Sequence, residues 1–245
     1  MNIEIILTPA ELLDLAKRDL SATSCVVFDV LRATSSFVTA LHHGAREIIP
    51  VSEISEALAI RKKQPDVLLG GERHGVKISA EGVNFDLGNS PREYTTEKVR
   101  GKAIVSTTTN GTRALRACAG AKTVLAASLL NLTATAKFIR QSNCEKLVIV
   151  CAGTFERAAL EDILAAGALC ESVSSNNDML SDSAHTALRA YLHAKSDLNS
   201  VIQTSENARR LLSIPDLRDD VAFCLRRDVF DLVATMGREG SLRAI

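Results

Sequence analysis

The stretch Ala103-Ile104-Val105-Ser106-Thr107-Thr108-Thr109-Asn110-Gly111-Thr112 runs from an apolar segment into a loop of hydroxyls and amides, then into the helical pattern Arg113-Ala114-Leu115-Arg116-Ala117. A short continuous apolar run reads as a strand covered on both faces. Strand, tight loop and helix in that order form the unit from which layered α/β folds are built. Six residues, Ser106, Thr107, Thr108, Thr109, Asn110 and Thr112, can place a hydroxyl or an amide in this one loop, and Gly111 lets the backbone turn tightly. Backbone N–H groups point outward at a helix start and the helix dipole favours negative charge there. A single Thr or Asn would cap the helix. The surplus of donors points further, to a bound phosphate or sulfonate.

The same beat extends to both sides. Apolar runs at 3–7, 25–29, 47–51, 67–69, 103–106, 123–126 and 146–151 predict strands, and helical spacing predicts helices at 9–18, 33–43, 54–63, 112–118 and 132–141. Thr8 before Pro9 reads as an N-cap followed by proline in the first turn. Gly44 and Gly120 stand where helices should stop. Alternating strands and helices imply an α/β fold of three layers, α/β/α, around a mainly parallel or mixed sheet. From 158 to 225 the pattern is nearly all helical, interrupted by Pro215, so the C-terminal third is mostly helix. No Gly-, Ser- or Pro-rich linker divides the chain, and residues 1–245 read as one unit. Residues 70–91, long and polar, form either a separate lobe or a segment covering the site.

Composition narrows the partners. The 245 residues are 46% hydrophobic, enough for an ordinary core, and carry 29 basic and 29 acidic groups. That balance argues against a nucleic-acid partner, which needs a net basic surface. With no Trp, two Tyr and seven Phe, no base-stacking platform is recognisable. The six cysteines are scattered without a C-x-x-C pair. The opening Met1-Asn2-Ile3-Glu4-Ile5-Ile6-Leu7 is too short and too acidic for a signal peptide, and no apolar run approaches the roughly 20 residues that span a bilayer. A cytoplasmic protein without a membrane partner is expected. Its partner is a small anionic phosphorylated substrate, and a homodimer is kept open.

In open α/β sheets ligands bind beyond the carboxyl ends of the strands. Those ends carry Asp29, Arg32, Thr34 and Ser35; Gly70-Gly71-Glu72-Arg73; the loop 106–112; and Cys151-Ala152-Gly153-Thr154, with Glu161-Asp162 opening the next helix. Acids, two arginines and many hydroxyls at one edge suit a Mg²⁺ ion bridging carboxylates and a phosphate. Asp29, Glu72 and Asp162 are the expected metal ligands, and Asp29, Glu161 and Asp162 the expected catalytic acids. Arg32 and Arg73 supply bidentate clamps for anions, with Thr34, Ser35, Thr107, Thr108, Thr109, Asn110, Gly111, Thr112, Gly153 and Thr154 as further substrate contacts. Each element also has a plainer role. Asp29 can cap the helix at Ala33, Glu72 and Arg73 can form a local ion pair, and Glu161 and Asp162 can complement a helix dipole. His42 and His43 read as partners of a helix end, and His74 is the histidine closest to the presumed site.

Other phosphatase chemistries fit less well. Cys151 and Arg157 have the C-x₅-R spacing of a thiolate phosphatase. However, Glu156 would place negative charge in the anion loop, no His precedes the Cys, and no hydroxyl follows the Arg. Asp29-Val30-Leu31 lacks the second acid of an Asp-x-Asp phosphatase. No Gly-x-Gly-x-x-Gly or Gly-x₄-Gly-Lys-Ser/Thr loop is present, so no nucleotide site is expected.

Taken together, Asp29-Val-Leu-Arg-Ala-Thr-Ser35, Gly70-Gly-Glu-Arg73, Gly88-Asn-Ser-Pro91, Ser106 to Thr112, Cys151-Ala-Gly-Thr154 and Glu161-Asp162 resemble the 2-phosphosulfolactate phosphatase (ComB) family of coenzyme M biosynthesis. The resemblance covers essentially the whole chain, including the tail Asp220-Val-Ala-Phe-Cys-Leu-Arg-Arg-Asp228. It implies a three-layer α/β/α fold and magnesium-dependent hydrolysis of phosphomonoesters of 2-hydroxy acids, with 3-sulfolactate as the product of 2-phosphosulfolactate. It adds Asn89 and Ser90 to the expected substrate contacts. The nucleophile is metal-activated water or, second, Asp29 itself. The rival reading is a non-catalytic binder or sensor of a phosphorylated or sulfonated metabolite, for which the acid cluster would have no use.

Overall fold

The computed structural model describes residues 1–80 and 82–245. In chain order the strands are β1 (Asn2–Ile6), β2 (Thr23–Phe28), β3 (Glu47–Pro50), β4 (Leu68–Arg73), β5 (Val76–Lys77), β6 (Ser79–Ala80), β7 (Val83–Asn84), β8 (Ala103–Thr107), β9 (Thr123–Ala127), β10 (Lys146–Cys151), β11 (Met179–Leu180), β12 (Ala234–Met236) and β13 (Leu242–Ala244). The helices are α1 (Leu12–Leu15), α2 (Ala33–His42), α3 (Ile54–Lys63), α4 (Thr96–Val99), α5 (Gly111–Ala117), α6 (Leu132–Gln141), α7 (Leu160–Val173), α8 (Asp182–Ala194), α9 (Leu198–Gln203), α10 (Glu206–Leu212) and α11 (Arg218–Cys224). Apart from the β6–β7 hairpin, the strands form one 11-stranded sheet among the described residues, ordered β11-β1-β10-β2-β9-β12-β13-β3-β8-β4-β5.

The sheet contains two parallel blocks. One is β11-β1-β10-β2-β9 and the other is β3-β8-β4. The hairpin β12–β13 joins them through three antiparallel pairings, β9 with β12, β12 with β13, and β13 with β3. Three reversals make the second block run opposite to the first. The sequence gives little sign of this hairpin, because each strand is three residues long and Arg238-Glu239-Gly240 between them reads as coil.

Alternate residues of the first block enter opposite faces, as strand geometry requires. Val26, Phe28, Leu125, Leu147 and Ile149 pack with α6, α7, α8 and the later helices, while Cys25, Val27, Val124, Val148 and Val150 pack with α1, α2 and α5. These are two outer layers about one sheet, and the helices after α7 gather on the first face. Boundaries differ from the sequence reading mainly at 9–18. There a 3₁₀ turn at Pro9–Glu11, closed by Thr8 and Glu11 in a capping box, precedes a helix of only four residues.

Residues 70–91 return to the body of the molecule at both ends. Leu87 donates its amide to the Leu69 carbonyl, and Ile78 and Phe85 are buried with Val51, Ala57 and Leu69. Glu81, within that stretch, lies outside the described residues. No helix among the described residues is long and apolar enough to cross a membrane.

Candidate active site

Carboxyl ends from both blocks line one cleft. Asp29 comes from the end of β2, Gly153 and Thr154 from the end of β10, Glu72 from β4, and Thr109 and Asn110 from the β8–α5 loop. The junction between blocks is tight. A Cβ built on Gly111 would lie 2.7 Å from Asp29 Oδ2 and 2.7 Å from Ala33 Cβ. Only glycine lets the start of α5 meet the end of β2 so closely.

Four buried acids surround this junction, and among the described residues none of them has an ion-pair partner within 4.0 Å. Asp29 Oδ1 accepts the Ala33 amide at 3.1 Å, so the capping role is real, and Oδ2 faces Gly111. Glu72 Oε1 accepts from the Thr109 amide (2.8 Å) and hydroxyl (2.9 Å), and Oε2 from the Gly75 amide (2.6 Å). Asp162 accepts from the amides of Val30 (2.8 Å) and Gly153 (3.0 Å), tying two strand ends together. Glu161 Oε1 accepts from Asn207 at 2.8 Å, while its buried Oε2 has no partner. Asp29 and Glu72 line the cleft directly; Glu161 and Asp162 stand behind Asn207 and Gly153.

Crowded carboxylates out of water resist ionisation. Burial pushes the Asp29 carboxyl up to about 7, opposed by the Ala33 amide and reinforced by Glu72 and Glu161. Burial, then Asp29 and Glu161, hold Asp162 well above the ordinary carboxylate range. No three Asp, Glu, His or Cys side chains among the described residues converge as a ready metal cage.

The two arginines expected to clamp anions have different fates. Arg32 lines the cleft but is already bound, Nη1 donating to Asp220 Oδ2 at 2.7 Å and Nη2 to the Gly75 carbonyl at 2.7 Å. Arg32 is 3% exposed and Asp220 0%, so this is a buried pair that fixes a wall of the cleft. The expectation that Arg73 faces an anion needs correction. Its guanidinium is not part of the cleft lining and donates to the Ser52, Glu72 and Thr107 carbonyls and to Thr107 Oγ1. Nor does it pair with Glu72.

Several expected hydroxyl contacts are likewise committed to the backbone. Thr34 donates to the Asp29 carbonyl, Ser35 to Val30, Thr107 to Ser52, and Thr112 to Thr108, whose Oγ1 accepts the Thr112 amide. Ser90 donates to Asp220 at 2.6 Å. Asn110 occupies the N-cap position without capping; its Nδ2 donates to the Ala152 and Phe155 carbonyls, both at 3.0 Å, stapling the two blocks' loops. Asn89 lines the cleft with a buried Oδ1 that has no partner.

Sequence reasoning missed Asn207 and Arg210 of α10 and the anchoring role of Asp220 of α11. His74, Leu31 and Phe155 also line the cleft. Only the familiar look of the tail around Asp220 offered a signal. The C-x₅-R alternative loses its parts. Cys151 is fully buried, and burial followed by Asp162, Glu11 and Glu161 drives its thiol well above the usual range. Arg157 is exposed and pairs with Glu206.

A family model described as 2-phosphosulpholactate phosphatase matches residues 10–239. Among similar proteins is one from Caldanaerobacter subterraneus subsp. tengcongensis, 46% identical over 219 residues, 88% of each chain. Another, from Thermotoga maritima, is 42% identical over 213 residues, 87% of this chain and 88% of its own. A third, from Clostridium novyi, is 36% identical over 235 residues, 95% of this chain and 96% of its own. All three are named probable 2-phosphosulfolactate phosphatase. With the match covering residues 10–239, every loop at the cleft included, the chain belongs to the 2-phosphosulpholactate phosphatase family.

Proposed function

We propose that this chain is a magnesium-dependent phosphomonoesterase that converts 2-phosphosulfolactate to 3-sulfolactate and phosphate. The observation that carries this reading is the set of four buried acids without an ion-pair partner beside a donor-rich loop. Burying uncompensated carboxylates is costly, and a cation that arrives with a phosphate removes the cost. The substrate is taken from the names of the relatives.

The donor set fits Mg²⁺, which keeps several waters and takes one or two carboxylates plus substrate oxygens rather than a full protein cage. Asp29 from the cleft lining and Glu161 from behind Asn207 would hold it, because among the four acids and the described residues Asp29 Oδ2 and Glu161 Oε2 are the oxygens without a hydrogen-bond donor. Glu72 and Asp162 spend both oxygens on the loops and keep them in place. When bound, the ion neutralises phosphate charge and orients the attacking water. The Gly111 amide, which has no intrahelical acceptor, and the Asn89 amide would contact the anion from the protein side, while the Thr112 amide is already taken by Thr108 Oγ1. Hydrolysis forms a bond from water oxygen to phosphorus and breaks the bond from phosphorus to the hydroxy-acid oxygen. A buried Cys151 takes no part.

Phosphate release from a panel of 2-phospho-hydroxy acids tests this. Release from 2-phosphosulfolactate should occur with magnesium, cease in chelator and return with magnesium or manganese. Full activity in chelator removes the metal from the proposal. Tight binding without release from any member of the panel would make the protein a sensor instead.

A further inference from the structure

Among the described residues two arginines line the cleft, and one of them is committed to a carboxylate. Arg32 is saturated by Asp220 and the Gly75 carbonyl. Arg210, half-buried on α10, donates to Asn207 Oδ1 at 3.1 Å and has no carboxylate within 4.0 Å among the described residues. Asn207 is itself held, its Nδ2 donating to Glu161 Oε1 and to Thr154 Oγ1. The Arg210 guanidinium also lies against the β4–β5 turn, where a Cβ on Gly75 would be 3.8 Å from its Cζ. The side chain is therefore positioned on two sides, yet its charge is met only by a neutral amide.

We propose that Arg210 receives the second acidic group of the substrate, its carboxylate or sulfonate, and thereby selects phosphoesters that carry a further acid. The proposal rests on the phosphomonoesterase reading for the phosphate, but not for the acid that Arg210 holds. A guanidinium matches both groups, since each offers two oxygens to its paired N–H donors. A substrate without that acid would leave the cation unpaired in the cleft. Fixed by Asn207 to Glu161, Arg210 also keeps a set distance from the acids that would face the phosphate side. This gives the acid-recognition role expected of Arg73 to a residue 137 positions later in the chain.

The test uses Arg210→Gln and Arg210→Lys, each checked for an unchanged melting temperature. With 2-phosphosulfolactate, Arg210→Gln should lower kcat/KM at least about tenfold, mainly through KM, as for a lost charge-assisted contact. With isopropyl phosphate, which has the secondary ester but no second acid, the loss should stay under about threefold, the scale of a weak surface pair. Arg210→Lys should fall between. Calorimetric binding of 3-sulfolactate, which has the acids but no phosphate, gives a readout independent of turnover. Wild type should bind it and Arg210→Gln should bind at least about tenfold more weakly. If no phosphoester is hydrolysed but this binding still depends on Arg210, the phosphatase reading fails and the role of Arg210 stands. Equal losses on both esters, unchanged sulfolactate affinity in Arg210→Gln, or no sulfolactate binding by wild type would overturn it.

Discussion

Gly111 sets how near the start of α5 comes to Asp29. Adding one methyl would push against Ala33 Cβ and Asp29 Oδ2, both at 2.7 Å. Gly111→Ala should therefore cost about 1–3 kcal/mol, the usual range for overpacking, and should lower turnover more than a cap mutation of equal stability cost. Denaturant midpoints and kcat on the same samples check both. Asp29 makes a second prediction. In chelator, its raised carboxyl is protonated more readily folded than unfolded, so its stabilising contribution is complete below pH about 4 and lost as pH rises through about 7. Asp29→Asn, which cannot ionise and can still accept the Ala33 amide, should be more stable than wild type at pH 8 by on the order of 2–4 kcal/mol. The difference should vanish near pH 4, and an equal gain at both pH values would refute it. Asp29 was legible from its place after an apolar run. The fate of Arg73 was not, because a long guanidinium stem reaches several carbonyls and only packing decides which.

Between elements, the tie that matters most is Arg32 with Asp220, joining the entry of α2 to α11 across 188 positions of sequence. Ser90 and the Gly75 carbonyl extend it to two further loops. Asp220→Ala would leave a buried guanidinium unpaired and should cost about 3–5 kcal/mol. Arg32→Met with Asp220→Leu should recover part of that stability but not activity, because a cleft wall loses its polar lining. Equilibrium unfolding of the single and double variants measures the difference. Asn110 joins loops of the two blocks through the Ala152 and Phe155 carbonyls. Asn110→Ala should lose turnover while changing stability by only about 1–2 kcal/mol. Elements with strong local pattern, such as α2, α3, α6 and β10, are readable from spacing alone. β12 and β13 are not, since three-residue strands are defined by the partners they find rather than by their own alternation.

For the molecule as a whole, the C-terminal hairpin turns two parallel blocks against each other, and carboxyl ends of both border one cleft. The rule that ligands sit beyond strand ends could be applied to the sequence, but the antiparallel joining of the two blocks depends on the last dozen residues. The later helices close the far side with Asn207 and Arg210, which carry no motif of their own. Four buried acids at the junction make the cation-free state strained in charge. Saturating magnesium should raise the melting temperature at pH 8 by several degrees, the scale of linked binding, and the rise should be absent in Asp29→Asn. The most direct measurement is phosphate release from 2-phosphosulfolactate by wild type and by Asp29→Asn at pH 8 with magnesium. Turnover by wild type and a loss of at least about a thousandfold in the folded variant are expected for an acid at the reacting centre. Wild-type rates in Asp29→Asn, or no release by wild type, would contradict the assignment of this cleft as a phosphomonoesterase site.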